Sequence, residues 1–299
     1  MYTKVSTKLN SVFMKNHSKN KVTLPFRWAG GKYYAISKLK QFWENFKHDE
    51  YREPFLGGGS VFWAKPKVKF NWLNDIDSGL IRTLKFIKNP KNRKKLLELF
   101  ENEKEATRGK HTKVKNTKPD SEIEFVYKYY YLNRTSFSGK MKNPSWGYRP
   151  KRSLPPFRWK ERIIPCGEKL ENTRLTSLDF SDVMLEKAIG KTVLMFLDPP
   201  YYHAKQGSHY AFSFKKYDHE RLSEVCRKTP HKFFLTYDDC PEIRKLYSWA
   251  DIFSLQFYYR LDNSKDNGDK RRIGSELVIT NYKPTNLDEE LLKHAIKIN

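Results

Sequence analysis

The residues best suited to chemistry follow an apolar run in the second half of the chain. Residues 192–197 are apolar or β-prone, and Asp198, Pro199, Pro200 and Tyr201 come directly after them. The pattern predicts a buried strand that ends abruptly at the two prolines. Because prolines fix the backbone, the Asp198 carboxylate and the Pro199 carbonyl can face one point, with the Tyr201 ring beside them.

Two acceptors beside an aromatic ring suit a planar base that carries an exocyclic amine. The acceptors would take the two N–H bonds and leave the nitrogen lone pair free for attack, while the ring stacks on the base. The alternative interpretation is an ordinary turn after a strand, because a short motif needs its structural context.

A second group of chemically suited residues lies in a glycine-rich stretch near the N-terminus. Three glycines in Glu53-Pro54-Phe55-Leu56-Gly57-Gly58-Gly59-Ser60 stand between a short strand and a helix, as a cofactor crossing the strand end would require. Asp75 ends the next strand about 20 residues later, the usual distance to a ribose-binding carboxylate. A flexible loop with an unrelated surface Asp is the alternative.

A further glycine turn, Trp28-Ala29-Gly30-Gly31-Lys32, precedes a helical pattern. Adjacent glycines before a helix allow a ligand to touch the backbone at its amino end. As a bare pattern this stretch is also typical of an ordinary tight turn.

The charge balance favours a polyanionic partner. The chain has 299 residues with 58 Lys and Arg against 34 Asp and Glu, a net charge of +24, and 15% of its residues are aromatic. Nucleic acid is the first candidate, because basic and aromatic residues interleave. The alternative is that the lysines only solvate the surface.

Other classes of protein are not supported by the sequence. No apolar run approaches the roughly 18 residues of a membrane span, so we expect a cytoplasmic protein without membrane contact. The cysteines are few and scattered, which indicates reduced thiols. The histidines lack metal-ligand spacing, so we expect no metal site. These residues are Cys166, Cys226, Cys240, His203, His209, His219 and His231.

Strands and helices are expected to alternate through most of the chain. Predicted helices cover 33–46, 78–87, 92–104, 122–133, 181–189, 218–228 and 241–249; predicted strands cover 69–75, 173–178, 192–197, 232–236, 252–258 and 276–280. Residues 1–23 form a basic tail. The basic stretch 107–120 is predicted to be a loop, mobile without DNA, and the connection 260–274 is predicted to be disordered or near phosphates.

The segment 134–160, called the recognition segment below, is rich in Gly, Pro, Arg and aromatic residues. It lies between the two groups of chemical motifs and is predicted to be an inserted recognition element, with a lid over the cofactor as the alternative. The candidate DNA contacts in it are Arg134, Lys140, Lys142, Tyr148, Arg149 and Arg152.

These motifs, in this order, resemble the Dam-like (D12 class, alpha group) DNA adenine N6-methyltransferases over roughly residues 24–282. The matching stretches are Pro25-Phe26-x-Trp28-Ala29-Gly30-Gly31-Lys32, Glu53-Pro54-Phe55-x-Gly57-Gly58-Gly59, Asn74-Asp75-Ile76, Asn133-Arg134-Thr135-x-Phe137-x-Gly139, Leu178-Asp179-Phe180, Asp198-Pro199-Pro200-Tyr201, Asp218-His219-x-x-Leu222 and Ser275-Glu276-Leu277-Val278-Ile279-Thr280-Asn281.

The resemblance implies an α/β fold with a Rossmann-like, mainly parallel sheet of seven strands and an inserted helical or hairpin target-recognition domain. It divides the chain into a catalytic domain (24–90 and 170–285) and a recognition domain (91–169). It further implies S-adenosylmethionine as cofactor, held by Trp28, Ala29, Gly30, Lys32, Glu53, Pro54, Phe55, Gly57, Gly58, Gly59, Ser60, Asp75, Ile76, Asp179, Phe180 and Asp198.

In such an enzyme Asp198, Pro199, Pro200 and Tyr201 would hold an adenine flipped out of double-stranded DNA. A cognate restriction endonuclease in the same system is an open alternative as a further partner. The stretch after Gly139 departs from the hairpin of relatives that read GATC, so the target sequence is not predicted. Methylation of cytosine N4 or of RNA adenine, and DNA binding without catalysis, are the rival functions.

Overall fold

A computed structural model describes residues 23–203, 214–258, 273–289 and 295–296. Its centre is one sheet in the order β3-β2-β1-β4-β5-β7-β6-β8. The first five strands in that order are parallel, and β7 lies antiparallel between β5 and β6. The strands are β1 (Glu50–Glu53), β2 (Phe70–Asn74), β3 (Thr173–Thr176), β4 (Val193–Leu197), β5 (Lys232–Asp238), β6 (Asp251–Tyr258), β7 (Ile273–Thr280) and the two-residue β8 (Ala295–Ile296).

This topology confirms the predicted Rossmann-like sheet of seven mainly parallel strands, to which β8 adds a short edge. The chain proceeds from β1 outward through β2 to β3, and then returns to place β4 on the other side of β1. The carboxyl ends of β1 and β4 therefore mark the point where the strand order reverses. In open α/β sheets ligands bind in the crevice at that point.

Helices cover both faces of the sheet. They are α1 (Ile36–Leu39), α2 (Ser60–Ala64), α3 (Ser78–Lys88), α4 (Pro90–Glu101), α5 (Arg108–Asn116), α6 (Glu122–Thr135), α7 (Lys160–Lys169), α8 (Phe180–Leu185), α9 (Lys216–Lys228) and α10 (Pro241–Leu246). In the part of the chain that the structure describes, no helix is both long and apolar enough to span a membrane.

The single helix predicted over 33–46 is wrong. The structure has a 3₁₀ turn (Lys32–Ala35), the one-turn α1 and a second 3₁₀ turn (Lys40–Phe42). The neighbours Phe42 and Trp43 both pack on Phe234, with ring centroids 6.3 and 5.9 Å away. Adjacent residues of a regular helix point in different directions, so this shared packing ends the helix.

The loop predicted over 107–120 is also wrong, because α5 lies there. Thr107 caps the helix by accepting a hydrogen bond from the backbone N–H of Lys110 at 3.2 Å. His111 and Val114, three residues apart, are buried, and α5 packs against α6. The many basic side chains on the outer face concealed this short apolar stripe.

Residues 91–169 are built from helices and a single bridge between Ser136 and Trp146. The sequence interpretation missed α7, which contains Pro165. Trp159 is fully buried among Phe100, Tyr130 and Tyr131, and one hydrophobic cluster includes them and residues of the sheet. The division into two domains stays a prediction. The tail, except residue 23, and most of the connection 260–274 lie outside the described residues.

Candidate active site

A cleft of about 980 Å³ opens at the carboxyl ends of β1, β2 and β4, where the sheet order reverses. Its walls contain all the predicted cofactor residues and the four residues from Asp198 to Tyr201. The cleft also extends to Arg134, Lys140 and Arg152 of the recognition segment. The fold therefore joins Trp28 and Tyr201, which are 173 positions apart in the sequence, in one cleft.

The glycine loop after β1 forms the floor of the cleft under the Trp28 ring. A Cβ atom added to Gly57 would lie 2.8 Å from Trp28 Nε1, and one added to Gly58 would lie 2.9 Å from Trp28 Cβ. Gly57 also has a φ of +47°. The glycines are thus needed for the close approach of Trp28 as well as for the open space above them.

Asp75 lies beside this loop and is buried. Its Oδ2 accepts a hydrogen bond from the Gly57 backbone N–H at 2.6 Å, and its Oδ1 accepts one from the Asp77 N–H at 2.9 Å. Burial raises the pKa of Asp75 from 3.8 to about 6, although these two bonds oppose the rise. Each oxygen keeps a second lone pair for a further donor.

Glu53, the last residue of β1, is a second buried carboxyl in the floor. Its Oε2 accepts from the Tyr51 hydroxyl at 3.0 Å. Its Oε1 and the nearby Ser60 Oγ have no hydrogen-bond partner among the described residues. Burial is the largest cause of a raised Glu53 pKa. Unsatisfied buried polar atoms are rare, and two of them in one cleft indicate that a polar ligand completes the site.

Asp179 and Phe180 line the cleft beside the glycine loop. Asp179 caps α8 by accepting from the Ser181 N–H and forms two bonds to the Arg221 guanidinium at 2.7 and 2.8 Å. These bonds to Arg221 are the main reason why the pKa of Asp179 falls to about 2. The Phe180 ring packs on Phe55 with centroids 5.3 Å apart. Arg221 was not foreseen from the sequence.

The Asp198 carboxylate is held from two sides. Lys32 Nζ lies 2.7 Å from Asp198 Oδ1 and 2.9 Å from Oδ2, and the Thr236 hydroxyl donates to Oδ1 at 2.8 Å. The same Lys32 ammonium lies 4.7 Å from the centre of the Tyr201 ring. The Lys32 ammonium therefore lies between the Asp198 carboxylate and the Tyr201 ring.

Three arginines form a positive cluster at the other end of the cleft: Arg27, Arg134 and Arg162. Arg134 is only 7% exposed, and the Nε atoms of Arg134 and Arg162 have no hydrogen-bond partner among the described residues. Burial and the neighbouring arginines lower the pKa of Arg134 to about 10. No carboxylate pairs with the cluster within the described ranges.

A comparison with protein families decides what kind of site this is. A sequence model of the D12 class N6 adenine-specific DNA methyltransferases matches residues 28–260. The chain belongs to this family. Membership confirms the predicted reaction, which is the site-specific methylation of adenine N6 in DNA.

Individual curated proteins are similar over nearly their whole length. Type II methyltransferase M1.LlaDCHI of Lactococcus lactis subsp. cremoris is 27% identical, over 88% of this chain and 98% of its own. Type II methyltransferase M.CviBI of Paramecium bursaria Chlorella virus NC1A is 28% identical, over 86% of this chain and 98% of its own. Type II methyltransferase M.MjaIII of Methanocaldococcus jannaschii is 27% identical, over 86% of this chain and 99% of its own.

The other predicted contacts of this adenine methyltransferase lie in different environments. Tyr148 is buried and packs on Trp146 with centroids 5.7 Å apart, whereas Lys142, Arg149 and Arg152 are exposed. Lys140 is half-buried at the cleft. Their role in DNA binding stays a prediction.

Several residues of the methyltransferase site were not identified as such from the sequence. Asn133 is buried and bonds the backbone of Arg27 in both directions, at 2.8 and 2.9 Å, and also donates to the Gly139 carbonyl. Glu276 on β7 lines the cleft. Asn133 and Glu276 stood in quoted motifs, but Arg27, Arg162 and Thr236 carried no local signal.

One group outside the cleft is relevant to the expectation of no metal site. His203, Cys240 and Glu242 place their potential ligand atoms within 4.8 Å of one another. His203 and Glu242 are exposed, and His203 Nε2 lies 3.4 Å from Glu242 Oε2. Chain spacing did not indicate this proximity, because 37 residues separate His203 from Cys240.

Proposed function

We propose that this methyltransferase uses S-adenosylmethionine and holds a flipped adenine of double-stranded DNA between Asp198, Pro199 and Tyr201. The observation that carries the proposal is the Lys32 ammonium, which bonds both oxygens of Asp198 at 2.7 and 2.9 Å while facing the Tyr201 ring. A nitrogen donor under an aromatic ring is also what a target adenine amine would present there.

The cleft fits the cofactor. Its volume of about 980 Å³ is at the upper end of the usual range for small-molecule sites. The unsatisfied Glu53 Oε1 suits the amino group of a methionine end, and Asp75 suits two ribose hydroxyls. Phe55 and Phe180 offer ring faces for an adenine. The other predicted cofactor residues line the same space.

S-adenosylmethionine supplies an electrophilic methyl group on a sulfonium. The chain's own contribution is to hold the nucleophile. In adenine the N6 lone pair is delocalised into the ring, so two acceptors on its hydrogens favour the more pyramidal and more nucleophilic nitrogen. Asp198 and the Pro199 carbonyl serve as these acceptors, and Thr236 keeps the carboxylate in place. Positioning and fixed charges provide most of the acceleration.

The amine can bind Asp198 at the second lone pair of Oδ2 or can replace Lys32 on that oxygen. Lys32 is 3% exposed, and its ammonium also donates to the Gly30 carbonyl at 3.0 Å. This bond keeps the ammonium beside the glycine turn at residues 28–32. Lys32 thereby neutralises the Asp198 carboxylate. Burying an unpaired carboxylate would cost several kcal/mol.

The DNA backbone is held at the arginine end of the cleft. A buried guanidinium without an anion is costly, and a phosphate would supply the missing acceptors of Arg134 and Arg162. This end adjoins Lys140 and Arg152 of the recognition segment. The base leaves the stack because N6 is inaccessible in the duplex, and stacking on Tyr201 offsets part of the few kcal/mol this costs.

Expression in a host without DNA methylation tests the function. We expect adenines at one sequence to carry N6-methyl groups, and we expect purified protein to melt at a higher temperature with S-adenosylmethionine. Asp198→Ala should retain this thermal shift and leave the host DNA unmodified. Modified cytosines, or no shift with the cofactor, would contradict the proposal.

We also propose that the enzyme protects DNA against a cognate restriction endonuclease, since the similar proteins from Lactococcus, the Chlorella virus and Methanocaldococcus are named type II methyltransferases. The methylated sequence can be compared with the cleavage sites of endonucleases in the same cells. Modified DNA that such an endonuclease still cuts would contradict this role.

A further inference from the structure

Arg221 on α9 lines the cleft, and the function proposed above gives it no task. Its guanidinium donates to both oxygens of Asp179, from Nη1 to Oδ1 at 2.7 Å and from Nη2 to Oδ2 at 2.8 Å. Two parallel bonds of this kind fix the plane of a carboxylate as well as its position. Helix α9 therefore sets the orientation of a carboxylate that caps α8.

The same guanidinium also contacts the ring that follows Asp179. The Arg221 Cζ atom lies 4.1 Å from the centre of the Phe180 ring. Phe180 in turn packs on Phe55 and Phe214, with centroids 5.3 and 5.9 Å away, and all three rings line the cleft. Arg221 thus holds a carboxylate and an aromatic wall of the cleft in a fixed relation to each other.

The hydrogen bonds of Asp179 leave one of its oxygens with room for a ligand. Oδ1 accepts from the N–H and the hydroxyl of Ser181 and from Arg221. Among the described residues Oδ2 accepts from Arg221 alone, so its second lone pair can take one further N–H. The bonds to Arg221 are the main reason why the pKa of Asp179 is about 2, and at neutral pH this oxygen can only accept.

We propose that Arg221 is a positioning residue that makes this part of the cleft specific for adenine, by holding Asp179 as the acceptor for the N6 amine of the cofactor. The proposal rests on S-adenosylmethionine as the cofactor. Adenine has an amine at position 6, whereas hypoxanthine has an oxygen there and a hydrogen on N1. A fixed carboxylate oxygen attracts the amine and repels the oxygen, so it distinguishes the two bases.

The test is calorimetric titration with S-adenosylhomocysteine and S-inosylhomocysteine, which differ only in the base. We expect wild type to bind the adenine compound at least about tenfold more tightly, the effect of one hydrogen bond to a charged acceptor. Arg221→Ala should raise the Kd of the adenine compound about tenfold. It should also bring the ratio of the two Kd values close to one, because a released carboxylate can turn to meet the N1 hydrogen of hypoxanthine.

Arg221→Lys keeps the positive charge and loses the two parallel bonds. We expect it to recover part of the affinity for the adenine compound and little of the discrimination, because a lysine does not fix the plane of the carboxylate. A purely structural role for Arg221 would change both Kd values by the same factor and would leave their ratio as in wild type.

Arg244→Ala is the matched control. Arg244 forms the same kind of pair with Asp239, at 2.6 and 2.8 Å, and neither is among the described residues that line the cleft. We expect both Kd values of this variant to equal those of wild type. A loss of stability caused only by breaking an arginine–carboxylate pair should appear in both variants, whereas the Kd ratio should change in Arg221→Ala alone.

A double-variant cycle shows whether Arg221 acts through Asp179. Asp179→Asn removes the charge and keeps a residue that can cap α8, so adding Arg221→Ala to it should raise the Kd little further. Additive losses, a wild-type ratio in Arg221→Ala, or equal binding of both compounds by wild type would overturn the proposal. If Arg221→Ala does not fold, the ratios of Arg221→Lys and Asp179→Asn decide the question. If wild type binds neither compound, the proposed cofactor fails instead.

Discussion

Replacing Asp75 by Asn tests whether the carboxylate beside the glycine loop holds the cofactor ribose. The change preserves the shape of the side chain and removes its charge. Asn keeps one oxygen, so it can still accept from either the Gly57 or the Asp77 backbone N–H. It cannot accept from two ribose hydroxyls at the same time. Each lost bond to a charged acceptor is worth about 1.5–3 kcal/mol, so the cofactor Kd should rise at least tenfold.

Stability should change in the opposite direction to cofactor affinity. Burial raises the pKa of Asp75 from 3.8 to about 6, so ionised Asp75 destabilises the free protein by about 3 kcal/mol at pH 8. This value already includes the two hydrogen bonds from backbone N–H groups, which favour the ionised form. Asn carries no charge and removes the cost, so denaturant unfolding at pH 8 should show Asp75→Asn to be more stable than wild type by up to about 3 kcal/mol.

The pH dependence of stability and of cofactor affinity provides a second check, because the raised pKa of Asp75 fixes the direction of each change. The folded pKa of Asp75 lies above its unfolded value, so the folded state binds the additional proton between pH 4 and about 6. The stability of the free wild-type protein should fall as pH rises through that window. Cofactor affinity should fall as pH drops below about 6, because protonated Asp75 loses an acceptor.

The measurement is calorimetric titration of wild type and Asp75→Asn with S-adenosylhomocysteine, a product that cannot react, from pH 5.5 to 8. We expect the affinity for this product to depend on pH in wild type and not in Asp75→Asn. The two proteins should bind DNA with the same affinity. Unchanged cofactor affinity in Asp75→Asn would refute the assignment of the ribose carboxylate.

Three further predictions concern the base and the DNA. Asp198→Ala should abolish methyl transfer with cofactor affinity nearly unchanged; near-normal turnover in a single-turnover assay would rule out its role as the N6 acceptor. Arg162→Ala should weaken binding to all duplexes about equally and reduce the salt slope by about one; an unchanged slope would mean that no phosphate binds there. Single alanine variants of the exposed or half-exposed basic residues of the recognition segment should either flatten the salt slope or relax preference at one base by about 1–3 kcal/mol; four variants with the parental site and slope would place recognition elsewhere. These four residues are Lys140, Lys142, Arg149 and Arg152.

The sheet could be predicted because its strands carry local signals. Strand β4, over residues 193–197, is buried on both faces and is an apolar run, and the Asp198 motif follows it directly. Strand β1 (Glu50–Glu53) is short and polar, and its signal in the sequence was the glycine stretch that follows it. Since parallel strands end at one edge, the order of the motifs also predicted which residues would meet there. This argument identified the glycine loop, Asp75 and Asp198, whereas the other cofactor residues came from the resemblance to the D12 class. The structure brings all of them into one cleft.

The missing parts of the site come from contacts that leave no local pattern. Lys32 and Asp198 are 166 residues apart, and nothing near either residue indicates that the ammonium would occupy the carboxylate. The arginine cluster was missed because Arg27 and Arg162 are 135 residues apart and nothing in the sequence near either residue links them. Helix α5 was missed because only two of its nine residues, His111 and Val114, are buried, and just one of these is apolar, which is too few to show a period.

The Asn133 side chain links the recognition segment to the segment that begins at Arg27 through hydrogen bonds. It bonds the backbone N–H and carbonyl of Arg27, and the same amide donates to the Gly139 carbonyl at 3.2 Å. Gly139 has a φ of +72°, and a Cβ there would lie 2.1 Å from the Arg27 carbonyl oxygen. The backbones of these two segments are therefore in direct contact. A displacement of the recognition segment would therefore be passed to the segment that carries Arg27 and Trp28, which lines the cofactor cleft.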